Sequence, residues 1–240
     1  MLKVNIKKKL EKYDLSVEFE TDKICFGIIG ASGSGKSMTL KCIAGIEKPD
    51  EGYIILNDKV LFDSYKNINL KPQDRHIAYL FQNYALFPQM NVWRNIFVSV
   101  NKRYLKNEKI KKVDDTIEMM KLSGLEKKYP NEISGGEQQR VALARIIVNE
   151  PEFLLLDEAF SSLDVYLKWS LANELKKILK DIDKDAIFVS HDIREVNFLC
   201  EMALVLNDGK IVEKGQIREI ISNPKSEITK KMVDFSMFTL

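Results

Sequence analysis

The chain has 240 residues, 45% of them apolar, which suits one large domain or two small ones with a substantial core. Thirty-seven basic residues against thirty-five acidic ones leave a net charge of +2, so no global field marks the chain for nucleic acid. Met1 to Leu15 holds no signal-peptide core, and no apolar run approaches the roughly 18 residues of a spanning helix, so the expectation is a soluble chain that meets a membrane only through a partner.

In chain order, Leu15, Val17 and Phe19 alternate with polar residues as a half-buried strand would. Tyr13 stands just before it, open to two readings: a strand-end surface aromatic, or a ring that stacks on a nucleotide base. A short apolar run, Ile24 to Ile29, then leads into Gly30-Ala31-Ser32-Gly33-Ser34-Gly35-Lys36-Ser37 and a helical pattern to Ala44. This is the pattern of a phosphate-binding loop. Its glycines let successive N–H groups turn inward, the helix adds its positive end, Lys36 is placed for the β- and γ-phosphates, and Ser37 for Mg²⁺. Gly45 and the turn residues Lys48 to Gly52 stop the helix, and Tyr53 to Leu56 with Val60 to Phe62 read as a hairpin around Asn57-Asp58-Lys59. Ile77 to Phe81 reads as a strand that ends at Gln82.

From Asn83 to Glu132 the strand signals give way to helical spacing, with Ile110, Val113, Ile117 and Met120 on one face and Gly124 as punctuation. Met119 and Met120 are expected in the core, and the lysines between Lys102 and Lys112 on a solvated face. Ser134-Gly135-Gly136-Glu137 opens a further helix with a capping box, and its glycine pair leaves N–H groups open to an anion. Phe153 to Leu156 is a run of the kind buried on both faces of a parallel sheet, and it ends in Asp157-Glu158. Acids at that end of a central strand face the ligand crevice, with Asp157 suited to Mg²⁺ and Glu158 to general-base work. A loop at Ser161 to Asp164, a long helix with Val165, Trp169, Leu175, Ile178 and Leu179 facing inward, and a buried strand Ile187 to Ser190 ending at His191 follow. Asn207-Asp208-Gly209 marks another hairpin, Gln216 to Ser222 a short helix, and the tail from Pro224 carries no signal beyond charge. Cys25, Cys42 and Cys200 lie far apart in apolar surroundings and are expected as buried free thiols.

Taken together, Gly30 to Ser37, Gln82, Ser134-Gly135-Gly136-Glu137-Gln138, Leu154 to Glu158, Ser162-Leu163-Asp164 and His191 resemble, in order and over nearly the whole chain, the ATPase subunit of ATP-binding-cassette (ABC) transporters. Leu61 to Ser64, Ile68 to Pro72, Ala78 to Gln82 and Ala85 to Pro88 look like the importers of molybdate, tungstate and sulfate, although importers of iron, polyamines and sugars share most of these stretches. The resemblance implies an α/β fold: a P-loop NTPase (RecA-like) core with an N-terminal antiparallel β subdomain and an inserted α-helical subdomain. Its expected bounds are 1–82 and 151–223 for the nucleotide-binding core, 83–150 for the helical subdomain and 224–240 for a tail, with no C-terminal regulatory β-barrel.

The same resemblance implies ATP and Mg²⁺ as cofactors and a head-to-tail homodimer. ATP would meet Tyr13 through adenine stacking and Gly30 to Ser37 with Met38 through its phosphates, while Ser134, Gly135, Gly136, Glu137, Gln138 and Asp164 would reach it from the other subunit. Ser37, Gln82 and Asp157 would hold Mg²⁺, and Glu158, His191 and Gln82 would act in hydrolysis. The surface from Gln82 to Phe97 would receive a helix of a membrane permease, which works with a solute-binding protein; the chain would sit on the inner face of the cell membrane, in the cytoplasm, without entering it and without binding nucleic acid. Two departures stand out: Ala159 occupies the place of a common proline, and Ile133 that of a common leucine. A soluble ABC ATPase of DNA repair or translation, a P-loop kinase or GTPase, and an inactive nucleotide-binding scaffold are the competing readings; the first lacks a coiled-coil insertion here and the second would lack Ser134 to Gln138.

Overall fold

The structure, a computed structural model, describes residues 1–161 and 165–238. Alternation at the N-terminus builds the first strands. Leu2, Val4 and Ile6 point one way along β1 (Leu2–Lys9), and its antiparallel partner β2 (Asp14–Thr21) buries Leu15, Val17 and Phe19 on the same side. Composition presents Met1 to Leu15 only as charged, because Lys3, Lys7 and Lys9 occupy the alternate, outward positions of β1 and Lys8 ends its inward row. β4 (Glu51–Leu56), β5 (Lys59–Asp63) and β6 (Ile68–Asn69) continue this antiparallel region outward from β1.

The central strands are of another kind. β3 (Cys25–Ile29), β8 (Phe153–Asp157) and β9 (Asp185–Ser190) are short apolar runs, almost wholly buried, and they pair in parallel together with β7 (Ile77–Leu80). Along β8, Leu154 and Leu156 join one core while Phe153 and Leu155 join the other, so each face of the sheet carries its own cluster. β10 (Met202–Asn207) pairs in parallel with β3, and β11 (Lys210–Gln216) returns antiparallel from it. A single parallel pair, Lys210 opposite Ser16, joins β11 to β2 and merges both regions into one sheet of order β6-β5-β4-β1-β2-β11-β10-β3-β9-β8-β7.

On one face lies α1 (Lys36–Ala44), packed with the antiparallel strands. Gly45 ends it at φ 79°, where a β-carbon would stand 2.5 Å from Nε of Arg75, so glycine is required on two counts. Arg75 is fully buried there and donates to the carbonyls of Cys42, Ile43 and Leu70 and to Asn69. On the other face are α2 (Val92–Phe97), α3 (Lys106–Met119) and α4 (Gly135–Ile147), which all fall between β7 and β8 in sequence, and then α5 (Val165–Asp181) and α6 (Ile193–Leu199).

Two sequence expectations are corrected here. Met120 is 3% exposed and belongs to the core, but Met119 is 48% exposed, because neighbouring helical residues point about 100° apart. The tail beyond Pro224 is not featureless: after α7 (Ile217–Ser222), α8 (Glu227–Phe238) buries Thr229 and Val233 and packs on α6 and α7. The expected Asp164 and its neighbours Ser162 and Leu163 lie outside the described residues. All three cysteines are free and buried.

Candidate functional site

Because β3, β9, β8 and β7 are adjacent and parallel, their carboxyl ends share one edge of the sheet, and four segments remote in sequence meet there. β3 delivers the loop Gly30 to Gly35 and then α1. β8 delivers Asp157 and Glu158, β9 delivers His191, and β7 leads to Gln82.

The loop is held in a tight curl. Gly33 and Gly35 have φ of 82° and 107°, Ser34 N–H donates to the Ala31 carbonyl at 3.2 Å, and Gly209 N–H donates to the Ser34 carbonyl at 3.0 Å. The first turn of α1 directs its orphan N–H groups, from Lys36, Ser37 and Met38, at the space enclosed by the loop. Lys36 is only 4% exposed; its ammonium donates to the carbonyls of Gly30 (2.9 Å) and Ala31 (3.0 Å) and lies 3.6 Å from Glu158. Burial pushes its pKa down, and Glu158 opposes that shift. Ser34 Oγ is buried without a hydrogen-bond partner among the described residues, and it sits so close to Gly30 that a β-carbon there would stand 2.5 Å from it.

Next to the loop, Ser37 Oγ donates to Asp157 Oδ1 at 2.9 Å, and the Tyr79 hydroxyl donates to Asp157 Oδ2 at 2.7 Å. Tyr79 is a residue that the motif reading passed over. It lies on β7 directly beside β8, paired with Leu155, and its hydroxyl is fixed in its protonated form because burial, then the Asp157 charge, raise its pKa. Glu158 has φ 46°, a left-handed backbone for a non-glycine residue, and its carboxylate gathers Lys36, Gln82 Nε2 at 3.2 Å and His191 Nδ1 at 3.6 Å. Gln82 also reaches Ser161 Oγ at 3.4 Å. Ser37 and Asp157 thus place a hydroxyl and a carboxylate side by side, hard-oxygen donors that suit Mg²⁺, while the Gln82 amide nitrogen is turned to Glu158 and Ser161.

Tyr13 stands on the far side of the loop. Its hydroxyl donates to the Gly33 carbonyl, and together with Lys12, Ser32, Asn207 and Asp208 it lines an open cleft against the loop. Met38 is half-buried and packs its side chain against the core around α1.

Ser134 to Gln138 form a separate feature. Ser134 caps α4, accepting from Glu137 N–H, while the Glu137 carboxylate accepts from Ser134 N–H at 2.7 Å and from its hydroxyl at 2.8 Å. Those bonds hold the Glu137 carboxyl below its ordinary range. Gln138 turns back, donating to the Pro130 carbonyl at 2.9 Å. Among the described residues no hydrogen bond or ion pair joins 134–138 to the phosphate loop, Asp157 or Glu158. The structure thus brings together Lys36, Ser37, Gln82, Asp157, Glu158 and His191 and leaves the Ser134 loop apart.

The family model described as ABC transporter matches residues 13–161. The chain is 42% identical over 211 residues to a molybdate/tungstate import ATP-binding protein of Thermococcus kodakarensis, covering 88% of this chain and 62% of that protein. It is 41% identical over 243 residues to the protein of the same description from Methanocaldococcus jannaschii, covering 100% of this chain and 77% of that one. The chain therefore spans 62% of the length of the first relative, less than two thirds, and 77% of the second. Among solved structures, it superposes on the dimeric, post-hydrolysis ATP-binding cassette MJ0796 bound to ADP and Pi, with a TM-score of 0.75, 27% identity, and coverage of 91% of this chain and 99% of that one. It also matches cbiO1 of Clostridium perfringens, part of the transporter complex cbiONQ, with a TM-score of 0.80, 25% identity, and coverage of 92% and 90%.

Proposed function

Since the chain belongs to the ABC transporter family, we propose that it is the ATP-hydrolysing subunit of an importer for molybdate, tungstate or a related oxyanion. The observation that carries this reading is the gathering of Lys36, Gln82 and His191 around one carboxylate, Glu158, at the mouth of the phosphate loop. The names of the two relatives support the oxyanion, and iron, polyamine or sugar import is the alternative that the shared stretches leave open.

In this reading the loop N–H groups and Lys36 bind the β- and γ-phosphates. Asp157, Ser37 and Gln82 would hold Mg²⁺, which neutralises charge developing on the phosphoryl oxygens. Glu158 accepts the proton of the attacking water, Gln82 orients that water, and His191 contacts the γ-phosphate. The separation of Ser134 from the loop favours a site completed by a second copy, with Ser134, Gly135, Gly136 and Asp164 supplied across the seam. We assign 1–82 and 151–223 to the nucleotide-binding core, 83–150 to the helical subdomain and 224–240 to a C-terminal segment. Among the described residues no helix is long and apolar enough to cross a membrane, so contact with the inner face of the cell membrane would run through permease subunits. ATP then drives the permease by binding the closed and open dimer with different affinity.

Glu158→Gln tests the assignment. Radiolabelled-nucleotide binding should persist, turnover should fall at least about 100-fold as expected for loss of a general base, and a nucleotide-bound dimer should accumulate in size-exclusion chromatography. Unchanged turnover would remove Glu158 from that role.

A further inference from the structure

Cys25 opens β3, and Cys200 ends α6 just ahead of β10, the strand that pairs with β3. Phe26 lies opposite Met202 in that pair, so both cysteines fall at the same end of neighbouring strands although 175 positions separate them in sequence. Their sulfurs are 2.9 Å apart, inside the core that covers the helical face of the sheet. We propose that Cys25 and Cys200 form a reversible intramolecular disulfide, a covalent link between the base of β3 and the end of α6.

The surroundings allow the reaction. Cys25 is 7% and Cys200 5% exposed, yet each lines a cleft, and the two clefts share Lys23, Lys176, Leu199 and Glu201. The cleft at Cys25, of about 420 Å³, is bordered by Lys23, Lys176 and Lys180 against Asp22 and Glu201, a small cationic excess at the approach of an anionic small disulfide such as oxidised glutathione. The attacking sulfur is that of Cys25, which lines the lysine-bordered cleft and reacts as its thiolate. It attacks one sulfur of oxidised glutathione, whose S–S bond breaks, and one glutathione leaves as thiolate and takes up a proton. Cys200, losing its proton, then attacks Cys25 Sγ, the Cys25–Cys200 bond forms, and the second glutathione leaves. Two protein thiols lose two electrons and two protons; one oxidised glutathione becomes two reduced ones. Cys42 has no part in this, because it lies in the core on the opposite face of the sheet, where burial pushes its pKa up to about 12.

The link would tie together the segments behind two site residues, since β3 runs into the phosphate loop and α6 follows His191. It closes a very long loop, so the linked chain should resist unfolding. The test equilibrates the purified full chain in glutathione buffers of rising oxidised share, quenches exchange with acid, labels the remaining thiols with N-ethylmaleimide in denaturant and maps peptides without reduction. Expected are a Cys25–Cys200 peptide pair lighter by two hydrogens, N-ethylmaleimide on Cys42 alone, a melting temperature raised by about 5 °C or more, and reversal of all three by dithiothreitol. The proposal is overturned if Cys25 and Cys200 stay alkylated across the whole series, if they stop at glutathione adducts or link two chains instead, or if the linked chain melts no higher than the reduced one.

Discussion

Both oxygens of Asp157 have donors, Ser37 and Tyr79, and this fixes the carboxylate's orientation before any cation is engaged. Ser37 can rotate its hydroxyl toward a metal and still stay beside Asp157, whereas Tyr79 packs its ring on Phe81 and the core and directs its hydroxyl to the carboxylate. Tyr79→Phe should therefore lower Mn²⁺ affinity in the presence of nucleotide by about 10-fold, read by electron paramagnetic resonance, with little change in the melting curve. Unchanged affinity would show that Asp157 needs no such support. At this scale the sequence was informative where the chemistry is local: eight consecutive residues specify the phosphate loop, and Asp157-Glu158 follow directly from an apolar run. Tyr79 was silent because its role depends on β7 lying beside β8, a pairing across 76 residues that no local pattern reveals. The Cys25 and Cys200 sulfurs meet for the same kind of reason.

Individual elements are secured by contacts that bridge sequence-distant segments. Arg75 stands over the C-terminal end of α1, and burial lowers its pKa to about 10, so it remains a cation at neutral pH. Arg75→Met keeps roughly the same volume but leaves the carbonyls of Ile43 and Leu70 without their donor and that of Cys42 with the Gly45 N–H alone, which should cost about 3 kcal/mol in urea unfolding. A loss under about 0.5 kcal/mol would contradict that account. Between α3 and the end of α4, Glu150 accepts from Lys112, Tyr104 and Arg103, and these donors lower its carboxyl from 4.5 to about 2. A lowered folded pKa adds stability above pH 4.5 that is lost as pH falls toward 2. Glu150 is partly exposed, so solvent screens the effect to a small one. The stability gap between the native chain and Glu150→Gln should be largest above pH 4.5 and close on acidification toward pH 2, followed by circular dichroism; a constant gap would refute the contribution. Element types were legible where hydrophobic period was clean, as in β2, β8 and α4. They were not legible in β1, where lysines mask the alternation, or in α8, whose inward face is small beside its charge.

For the molecule as a whole, the sheet sorts function by edge. Its parallel half aims four strand ends at the phosphate loop, and the antiparallel half packs behind α1. The helices inserted between β7 and β8 carry Ser134 to Gln138 on a surface that makes no hydrogen bond or ion pair with that loop among the described residues. On the proposed function, one chain would present both halves of a nucleotide site without joining them, and a head-to-tail pair would join them twice. The overall architecture was legible through the order of motifs rather than through packing, which is why the resemblance reached the whole sheet while single contacts escaped it. The most direct test is ATP turnover per chain as a function of protein concentration, alongside sedimentation of the 27.7 kDa chain with ATP and Mg²⁺. The dimer account predicts that turnover per chain rises with concentration and that the sedimenting mass doubles when nucleotide is bound; full turnover by a species that stays monomeric would contradict it.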